Sequence, residues 1–281
     1  MASVAGPRQH GLARPVSFGL LIAATGVVAV LNALSRRLFE SFADKSALDA
    51  ILDLSGVSAI VWFALYALVA IGSSNETVTP RRADWAMAAL VMLAALLPVP
   101  QFAAAALVLL GLWCLFAHRA TPAVGRMGVV LLALSGSLLW GRLALSLFAP
   151  PLLSIDAQLV ALFAQVPVDG NFVHFATGVG GYTLAPGCSS LHNVSLAILL
   201  WATLTQLFDV PVRWQSLLGC LAAVLALLAV NIARLAAMAH LPQHFVWLHE
   251  GPGETIFAWA SLLLAMIVTM ITIHVAPRAL R

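Results

Sequence analysis

Runs of apolar residues, separated by short polar stretches, make up most of the chain. A helix that crosses a bilayer needs about 20 apolar residues, and eight segments approach or reach that length. The third is short, and Pro98 and Pro100 separate it from the fourth, which predicts a tight helical hairpin. The pattern predicts an all-α fold, a polytopic membrane bundle of about eight transmembrane helices. The segments are 17–35, 51–72, 84–97, 101–117, 127–149, 189–206, 216–239 and 254–275.

The composition agrees with this pattern. The 281-residue chain is 62% hydrophobic and 9% charged, with a mean hydropathy of +1.00. A soluble domain does not carry that much apolar surface. The sequence contains no internal repeat or low-complexity tract, so we expect a single membrane domain over 1–281, with N-terminal spans in 1–126.

Basic residues divide unevenly between the two sides of the predicted bundle. With the N-terminus in the cytoplasm, nine arginines fall on the cytoplasmic side, and Arg36, Arg37 and Lys45 fall outside. This bias favours both termini inside. Arg8 and Arg14 precede the first apolar run as in a signal peptide, but that run is long enough that we expect a retained span. The small net charge of +3 fits contact with membrane lipids and indicates no nucleic-acid partner.

Two polar regions, 150–188 and 240–253, interrupt the apolar pattern, and both fall outside the membrane on the outer face. The stretch PPLLSIDAQLVALFAQ has apolar residues at helical spacing and predicts an interfacial helix. The following DGNFVHFATGVGGYTLAPGC combines β-compatible residues with a glycine turn, which predicts a small extracytoplasmic hairpin before the sixth helix.

Cys188 lies at the outer mouth of the sixth span, directly before Ser189 and Ser190, which are good N-cap residues. Free amides at a helix start favour a thiolate, so we predict a lowered thiol pKa and a nucleophilic cysteine. The alternative is an unreactive interfacial cysteine. Cys114 and Cys220 lie inside spans near the other face, where cysteine usually serves as a small apolar residue.

Two arginines lie inside predicted spans. Arg234 is about 7 Å inside the outer end of the seventh span, where a guanidinium must face the bundle or reach for the interface. Asn231 lies three residues earlier on the same helix face and can orient it. Arg142 lies near the outer end of the fifth span. It is a weaker candidate for a functional role, because it can reach the interface or pair structurally.

His249 precedes the last span and is followed by Glu250. A histidine near neutral pKa can act as general acid or base. His192 is a rival for that role, because it lies four residues after Cys188 and shares a helix face with it if the helix begins there. His240 and His244 straddle Pro242, which disturbs the helix that a metal pair at this spacing needs. The sequence therefore indicates no metal site, and no motif predicts a cofactor.

These residues together give the chain a resemblance to the exosortase/archaeosortase family of membrane cysteine transpeptidases. The matching stretches are APGCSSLHNVSLAILLW, NIARLAAMAH and HEGPGETIFAW, which cover about 165–260. Two positions depart from the family pattern. Ser190 replaces a glycine, and His192 stands where a basic residue is common. The resemblance makes 127–275 a catalytic core of exosortase type.

The resemblance also implies roles. Cys188 would attack a peptide carbonyl in a C-terminal sorting signal of the PEP-CTERM type, Arg234 would stabilise the oxyanion, and His249 would act as acid and base. The substrates would be membrane-anchored exported proteins, cleaved at the periplasmic face of a bacterial inner membrane. The acyl group would pass from Cys188 to an acceptor linked to lipid or polysaccharide. Ser189, Asn231 and Glu250 would support the catalytic residues.

Two other functions fit the same residues. A cysteine protease would use water as the acceptor. A transporter or lipid-binding membrane protein would use Arg234 and Arg142 to hold an anionic group.

Overall fold

The fold is described here from a computed structural model, which places residues 17–44, 57–73, 78–118 and 121–275. Within these ranges ten α-helices are joined by short turns, one π-helical turn at Gly136–Trp140 and a three-stranded sheet. The helices are α1 (Phe18–Asp44), α2 (Ala59–Gly72), α3 (Arg82–Leu96), α4 (Pro100–Ala117), α5 (Pro122–Ser135), α6 (Gly141–Ala164), α7 (Ser190–Leu207), α8 (Trp214–His240), α9 (Phe245–His249) and α10 (Pro252–Val275).

Five helical stretches in the described part of the chain are long and apolar enough to cross a membrane, which agrees with an integral, all-α membrane bundle. Helix α2 is apolar but shorter. The five are Phe18–Ala43, Pro100–Ala117, Pro122–Ala164, Trp214–His240 and Pro252–His274.

Local sequence explains where several helices begin. Proline occupies the first turn of α4 and of α5, where its missing N–H has no intrahelical partner to lose. Ser58 accepts a hydrogen bond from the Ile60 amide before α2, and Ser189 accepts one from the Leu191 amide before α7. These side chains satisfy amides that a helix start leaves free.

The stretch Pro122–Ala164 is too long for one span. Its 43 residues would extend about 65 Å as a straight helix, roughly twice the hydrocarbon core. The helix bends at Phe148 (φ −128°, ψ 25°), just before Pro150 and Pro151, because proline removes a hydrogen bond and crowds the preceding turn. The bend falls between the segments that the sequence assigned to a span and to an interfacial helix.

Two pairs of packed helices run antiparallel and touch at glycines. Gly19 of α1 packs on Gly72 of α2, and Gly219 of α8 packs on Thr272 of α10. In each pair the start of one helix therefore lies beside the end of the other. The end that holds Phe18 is called the proximal end below, and the end that holds Ser190 is called the distal end.

The sheet lies at the distal end, between α6 and α7. Its strands are β1 (Val168–Asp169), β2 (Phe172–His174) and β3 (Gly181–Thr183), paired antiparallel in that order. Val173 is the central residue and opposes both Val168 and Tyr182. Gly178 and Gly180 have φ of 78° in the β2–β3 turn, a conformation that glycine adopts without strain.

A small second core fixes this sheet to the bundle. Leu153 and Val160 of α6, Val173 of the sheet and Leu235 of α8 are all at most 4% exposed and form one cluster, separate from the main core. The Tyr182 hydroxyl donates to the Leu235 carbonyl at 2.6 Å, and the Ala176 amide donates to the Ala239 carbonyl at 2.9 Å. The distal end of α8 is therefore held between α6 and the sheet.

Candidate functional site

Cys188 is the last residue of a 3₁₀ turn, Pro186–Cys188, that leads from the sheet into α7. Its side chain is half-buried and packs against the second core. Gly187 beside it is exposed, and a Cβ placed there would meet no atom within 4 Å. The turn that carries the thiol is therefore supported by the second core and open on its Gly187 side.

His249 is the group nearest the thiol. Its Nε2 lies 3.7 Å from the Cys188 Sγ, within the range of a hydrogen bond to sulfur. The ring stacks on Phe245, one turn earlier on α9, with centroids 5.3 Å apart. The buried Nδ1 makes no hydrogen bond with the described residues, and the nearest carboxylate oxygen, Glu250 Oε1, is 3.5 Å away.

Arg234 of α8 fixes the backbone that carries His249. Its Nε donates to the Leu248 carbonyl at 2.9 Å, and its Nη2 donates to the His249 carbonyl at 3.0 Å. A cation at the end of a short helix satisfies carbonyls that the helix leaves free. A guanidinium has five N–H groups, so three donors are left after these two bonds.

Asn231 has a different partner from the one expected. The sequence predicted that it would orient Arg234, but its Nδ2 donates to the Cys188 carbonyl at 3.1 Å and lies 3.2 Å from the Ser190 hydroxyl. Asn231 is buried, at 6% exposed. It ties α8 to the cysteine turn, because the Cys188 carbonyl and the Ser190 hydroxyl take up its amide group.

Sequence reasoning missed Asp156. This carboxylate of α6 is 5% exposed, and its Oδ2 accepts a hydrogen bond from the Ser190 amide at 3.0 Å. It caps the first turn of α7 from another helix, where a negative charge is favourable. The available signal was a lone acidic residue in the otherwise uncharged stretch LLSIDAQLV.

The prediction of a lowered Cys188 pKa is wrong in direction. Burial raises the pKa of the thiol, and the charges of Glu254 and Asp156 add to this. A backbone hydrogen bond of Ala185 and the Arg234 charge act in the opposite direction without cancelling it.

The physical reason is that the helix start has no free amides. The Ser190 amide is bound to Asp156, and the Leu191 amide to the Ser189 hydroxyl. The His192 amide donates to the Ser189 carbonyl at 3.3 Å. The Cys188 and Ser189 amides are engaged in the 3₁₀ turn, with the Ala185 and Pro186 carbonyls.

The other predicted residues lie elsewhere. His192 does not share a helix face with Cys188, because α7 begins at Ser190 and Cys188 is in the turn before it, and the thiol lies within hydrogen-bond range of His249 instead. The His240 Nε2 lies 3.0 Å from the Ala164 carbonyl. Gly251 and Gly253 do not leave space around His249, since a Cβ at either would meet Trp247. Among the described residues no group of three or more histidine, cysteine and acidic side chains could hold a metal ion.

The arrangement can support acyl transfer. An imidazole within reach of a thiol can take its proton as the sulfur attacks. The amides of residues 188–192 are engaged, and the remaining N–H groups of Arg234 are the charged donors at hand for a developing oxyanion. Cys188, Arg234 and His249 thus come together at the distal end from three separate elements, which are the turn before α7, helix α8 and helix α9.

Comparison with protein-family models, with curated proteins and with solved structures gives no match to this chain. We therefore infer the function from the motifs and from the geometry of this site.

Proposed function

We propose that the protein is a membrane-embedded cysteine transpeptidase of the exosortase/archaeosortase type. The observation that carries the proposal is the 3.7 Å approach of the Cys188 Sγ to the His249 Nε2, beside a guanidinium from another helix. The three residues are those that the family resemblance assigns to catalysis. Their meeting at one end of an apolar bundle is what an enzyme acting on membrane-anchored substrates requires.

In the proposed reaction the Cys188 sulfur attacks a peptide carbonyl carbon while its proton moves to His249. Arg234 donates hydrogen bonds to the oxyanion of the tetrahedral intermediate. The C–N bond then breaks, His249 gives its proton to the leaving amine, and a thioester joins the substrate to Cys188. An acceptor nucleophile, deprotonated by His249, attacks the thioester and releases the thiol.

The raised thiol pKa favours this order of proton transfer. A thiol that burial keeps protonated at neutral pH is a weak nucleophile until a base removes its proton. His249, with its Nε2 toward sulfur, is placed to remove it during attack. Arg234 is both a positioning residue for the His249 backbone and a donor to the oxyanion.

The proposed substrates are exported proteins held in the membrane by a C-terminal sorting signal of the PEP-CTERM type. In a bundle of about eight spans with both termini in the cytoplasm, the distal end would face the periplasm. Cys188 would then lie where such a signal emerges from a bacterial inner membrane. The acceptor would be linked to lipid or polysaccharide.

Co-expression with an exported reporter that carries Pro-Glu-Pro, a hydrophobic helix and a basic tail tests the proposal. Intact mass of the reporter should show loss of the tail and gain of an acceptor, and Cys188→Ala should leave the reporter uncut. A product that ends in a free carboxylate would assign hydrolysis. A reporter that stays uncut even with the wild type would favour a transporter or lipid binder, whose function should survive Cys188→Ser and be lost in Arg234→Ala.

A further inference from the structure

The three-stranded sheet leads directly into the turn that carries Cys188, and β3 has an open edge. The strand order is β1–β2–β3, so β3 pairs with β2 on one side only. Residues 184–187 connect β3 to Cys188, and within this connection the Cys188 amide donates to the Ala185 carbonyl at 2.9 Å. The edge of β3 therefore ends within about 17 Å of extended chain from the proposed nucleophile.

The register of β3 shows which of its backbone groups face β2. The Phe175 amide donates to the Gly180 carbonyl at 3.1 Å, and the Leu184 amide donates to the Asn171 carbonyl at 2.8 Å. Bonded and non-bonded positions alternate along an antiparallel pair. Tyr182 lies two residues from each of these positions on β3, so it also directs its N–H and C=O groups toward β2.

Gly181 and Thr183 occupy the alternate positions, so their N–H and C=O groups point away from β2. Among the residues that the structure describes, none of these four groups forms a backbone hydrogen bond. Thr183 is exposed and Gly181 is half-buried, which leaves this edge accessible. Donors and acceptors repeated every two residues are the pattern with which a further β-strand pairs.

Aromatic packing fixes β3 relative to the proposed base. The Phe245 ring stacks on His249 with centroids 5.3 Å apart, and its centroid lies 5.5 Å from that of Tyr182. The Tyr182 hydroxyl donates to the Leu235 carbonyl at 2.6 Å. Cys188 packs against the same second core to which Tyr182 belongs. The open edge, the thiol and the imidazole are therefore held together by one continuous set of contacts.

We propose that the open edge of β3 binds the substrate as an added β-strand, through the peptide segment on the amino side of the cleaved bond. The inference deepens the proposed function and rests on it, because that reaction needs a peptide carbonyl held at the Cys188 sulfur. The segment on the carboxyl side continues into a hydrophobic helix that occupies the membrane, so it does not follow the sheet. Since β3 runs toward Cys188, the amino-side segment runs parallel to β3.

Parallel pairing sets the hydrogen bonds that the substrate forms. One substrate residue lies opposite Tyr182, donates its N–H to the Gly181 carbonyl and accepts at its C=O from the Thr183 amide. The substrate residue two positions further on donates to the Thr183 carbonyl. The N–H groups of the intervening substrate residues face away from β3. Such pairing provides affinity through the main chain of the bound peptide.

The test uses the purified full-length protein in detergent, with Cys188→Ala so that no peptide is cut. The probe is a fluorescent synthetic peptide that reproduces the reporter sequence up to and through Pro-Glu-Pro, and its affinity is measured by fluorescence anisotropy. Each non-proline backbone amide before the motif is N-methylated in turn. We expect methylation at alternate positions to weaken binding by about tenfold, as for loss of a hydrogen bond. Methylation at the positions between them should change the affinity by less than about twofold.

Thr183→Pro removes an edge N–H that the sheet does not use, and should weaken binding of the unmodified peptide by about tenfold. Val168→Pro is the matched control at the opposite edge of the sheet. The Val168 N–H also faces away from β2, because the adjacent Pro167 carbonyl accepts from the His174 amide. This variant should bind the peptide within about twofold of the parent. Size-exclusion chromatography confirms that both variants are folded.

An unmodified peptide that does not bind, or N-methylation that weakens binding equally at every position or at none, would overturn the proposal. Equal losses in Thr183→Pro and Val168→Pro would overturn it as well. Processing of the reporter by the wild type tests the reaction separately. A reporter that is cut while the methylated peptides show no alternation refutes strand pairing alone, whereas alternation with an uncut reporter refutes the reaction alone.

Discussion

The two ends of the bundle hold the same residue types in opposite states. At the proximal end, Asp84 and His118 are 0% and 4% exposed, and Cys114 is fully buried nearby. Asp84 accepts from the Arg81 amide at 2.7 Å and from the Trp113 Nε1 at 2.9 Å, and its Oδ1 lies 2.9 Å from the His118 Nε2.

At the distal end, the corresponding groups are only partly satisfied. The His249 side chain is 30% exposed, its Nδ1 makes no hydrogen bond with the described residues, and Glu250 stands 3.5 Å away. Cys188 is half-buried and follows the exposed Gly187. A saturated, buried cluster fixes helices together, whereas an accessible cluster with unused donors can exchange protons with a substrate. A cysteine, a histidine and an acidic residue close together therefore do not by themselves indicate a catalytic site. Hydrogen-bonding groups that are accessible and left without a partner do indicate one.

The largest expected effect is a difference in processing rate between variants of Cys188 and of Cys114. Cys188→Ser should lower the rate of reporter processing by about 10³-fold or more, because the attacking atom is changed. Cys114→Ser should leave the rate per folded molecule within about twofold. Processing is measured by intact mass, normalised to folded protein from size-exclusion chromatography. Equal losses in the two variants would remove the distinction between the ends.

The next largest effect should distinguish the two histidines, His249 and His118, by the processing rate of their variants. His249→Gln should lower the processing rate by about 10²-fold or more, the usual contribution of a general acid–base group. His118→Gln should lower the midpoint of thermal unfolding and leave the rate of the folded fraction nearly unchanged. A matched substitution of His192→Gln should also keep the rate. Loss of turnover in His192→Gln but not in His249→Gln would reverse the assignment of the base.

The proximal cluster should matter for stability. Asp84→Ala leaves buried donors without their acceptor, and we expect a loss of about 3–5 kcal/mol in the free energy of unfolding. Asp169→Ala, which removes an 81% exposed carboxylate paired with His174, should cost less than about 1 kcal/mol. Denaturant unfolding in detergent measures both. Similar small losses would show that the proximal cluster is not a structural clamp.

The pH dependence of thiol alkylation should report on the charges around Cys188. Burial raises the pKa of this thiol, so the iodoacetamide rate should rise with a midpoint above the usual value of about 8.5. Arg234→Gln removes a charge that lowers the pKa and should move the midpoint up. Asp156→Asn removes a charge that raises it and should move the midpoint down, while its amide oxygen still accepts from the Ser190 amide.

Each shift should be less than about one pH unit. A background of Cys114→Ser and Cys220→Ser leaves one reactive thiol. A midpoint below that of a free thiol would restore the expectation that the helix start activates Cys188.

The smallest expected effect is at Glu250. Its carboxylate is 77% exposed and 3.5 Å from the His249 Nδ1, so solvent screens it. Glu250→Gln should change the processing rate by less than about threefold. A loss comparable with that of His249→Gln would mean that Glu250 closes on the histidine during the reaction, and would make the distal cluster resemble the saturated proximal one.

The sequence by itself determined the class of the fold. Apolar length predicted the membrane helices, and Pro98 with Pro100 predicted the break between α3 and α4. Ser189 was predicted as a helix cap and accepts the Leu191 amide. These are local properties, set by the partition of side chains into lipid and by the hydrogen bonding of one turn. The alternation of antiparallel spans then brings residues of distant segments to one end.

Only the tertiary structure decided which of those residues meet. Placing Cys188 in a 3₁₀ turn ahead of α7 removed the shared helix face with His192, and the docking of α9 brought His249 to the thiol instead. Asp156 and Asn231 reach the cysteine turn from two other helices. The rotation of each helix about its axis is set by packing against its neighbours, and the same packing buried Cys188 and occupied the amides that were expected to lower its pKa.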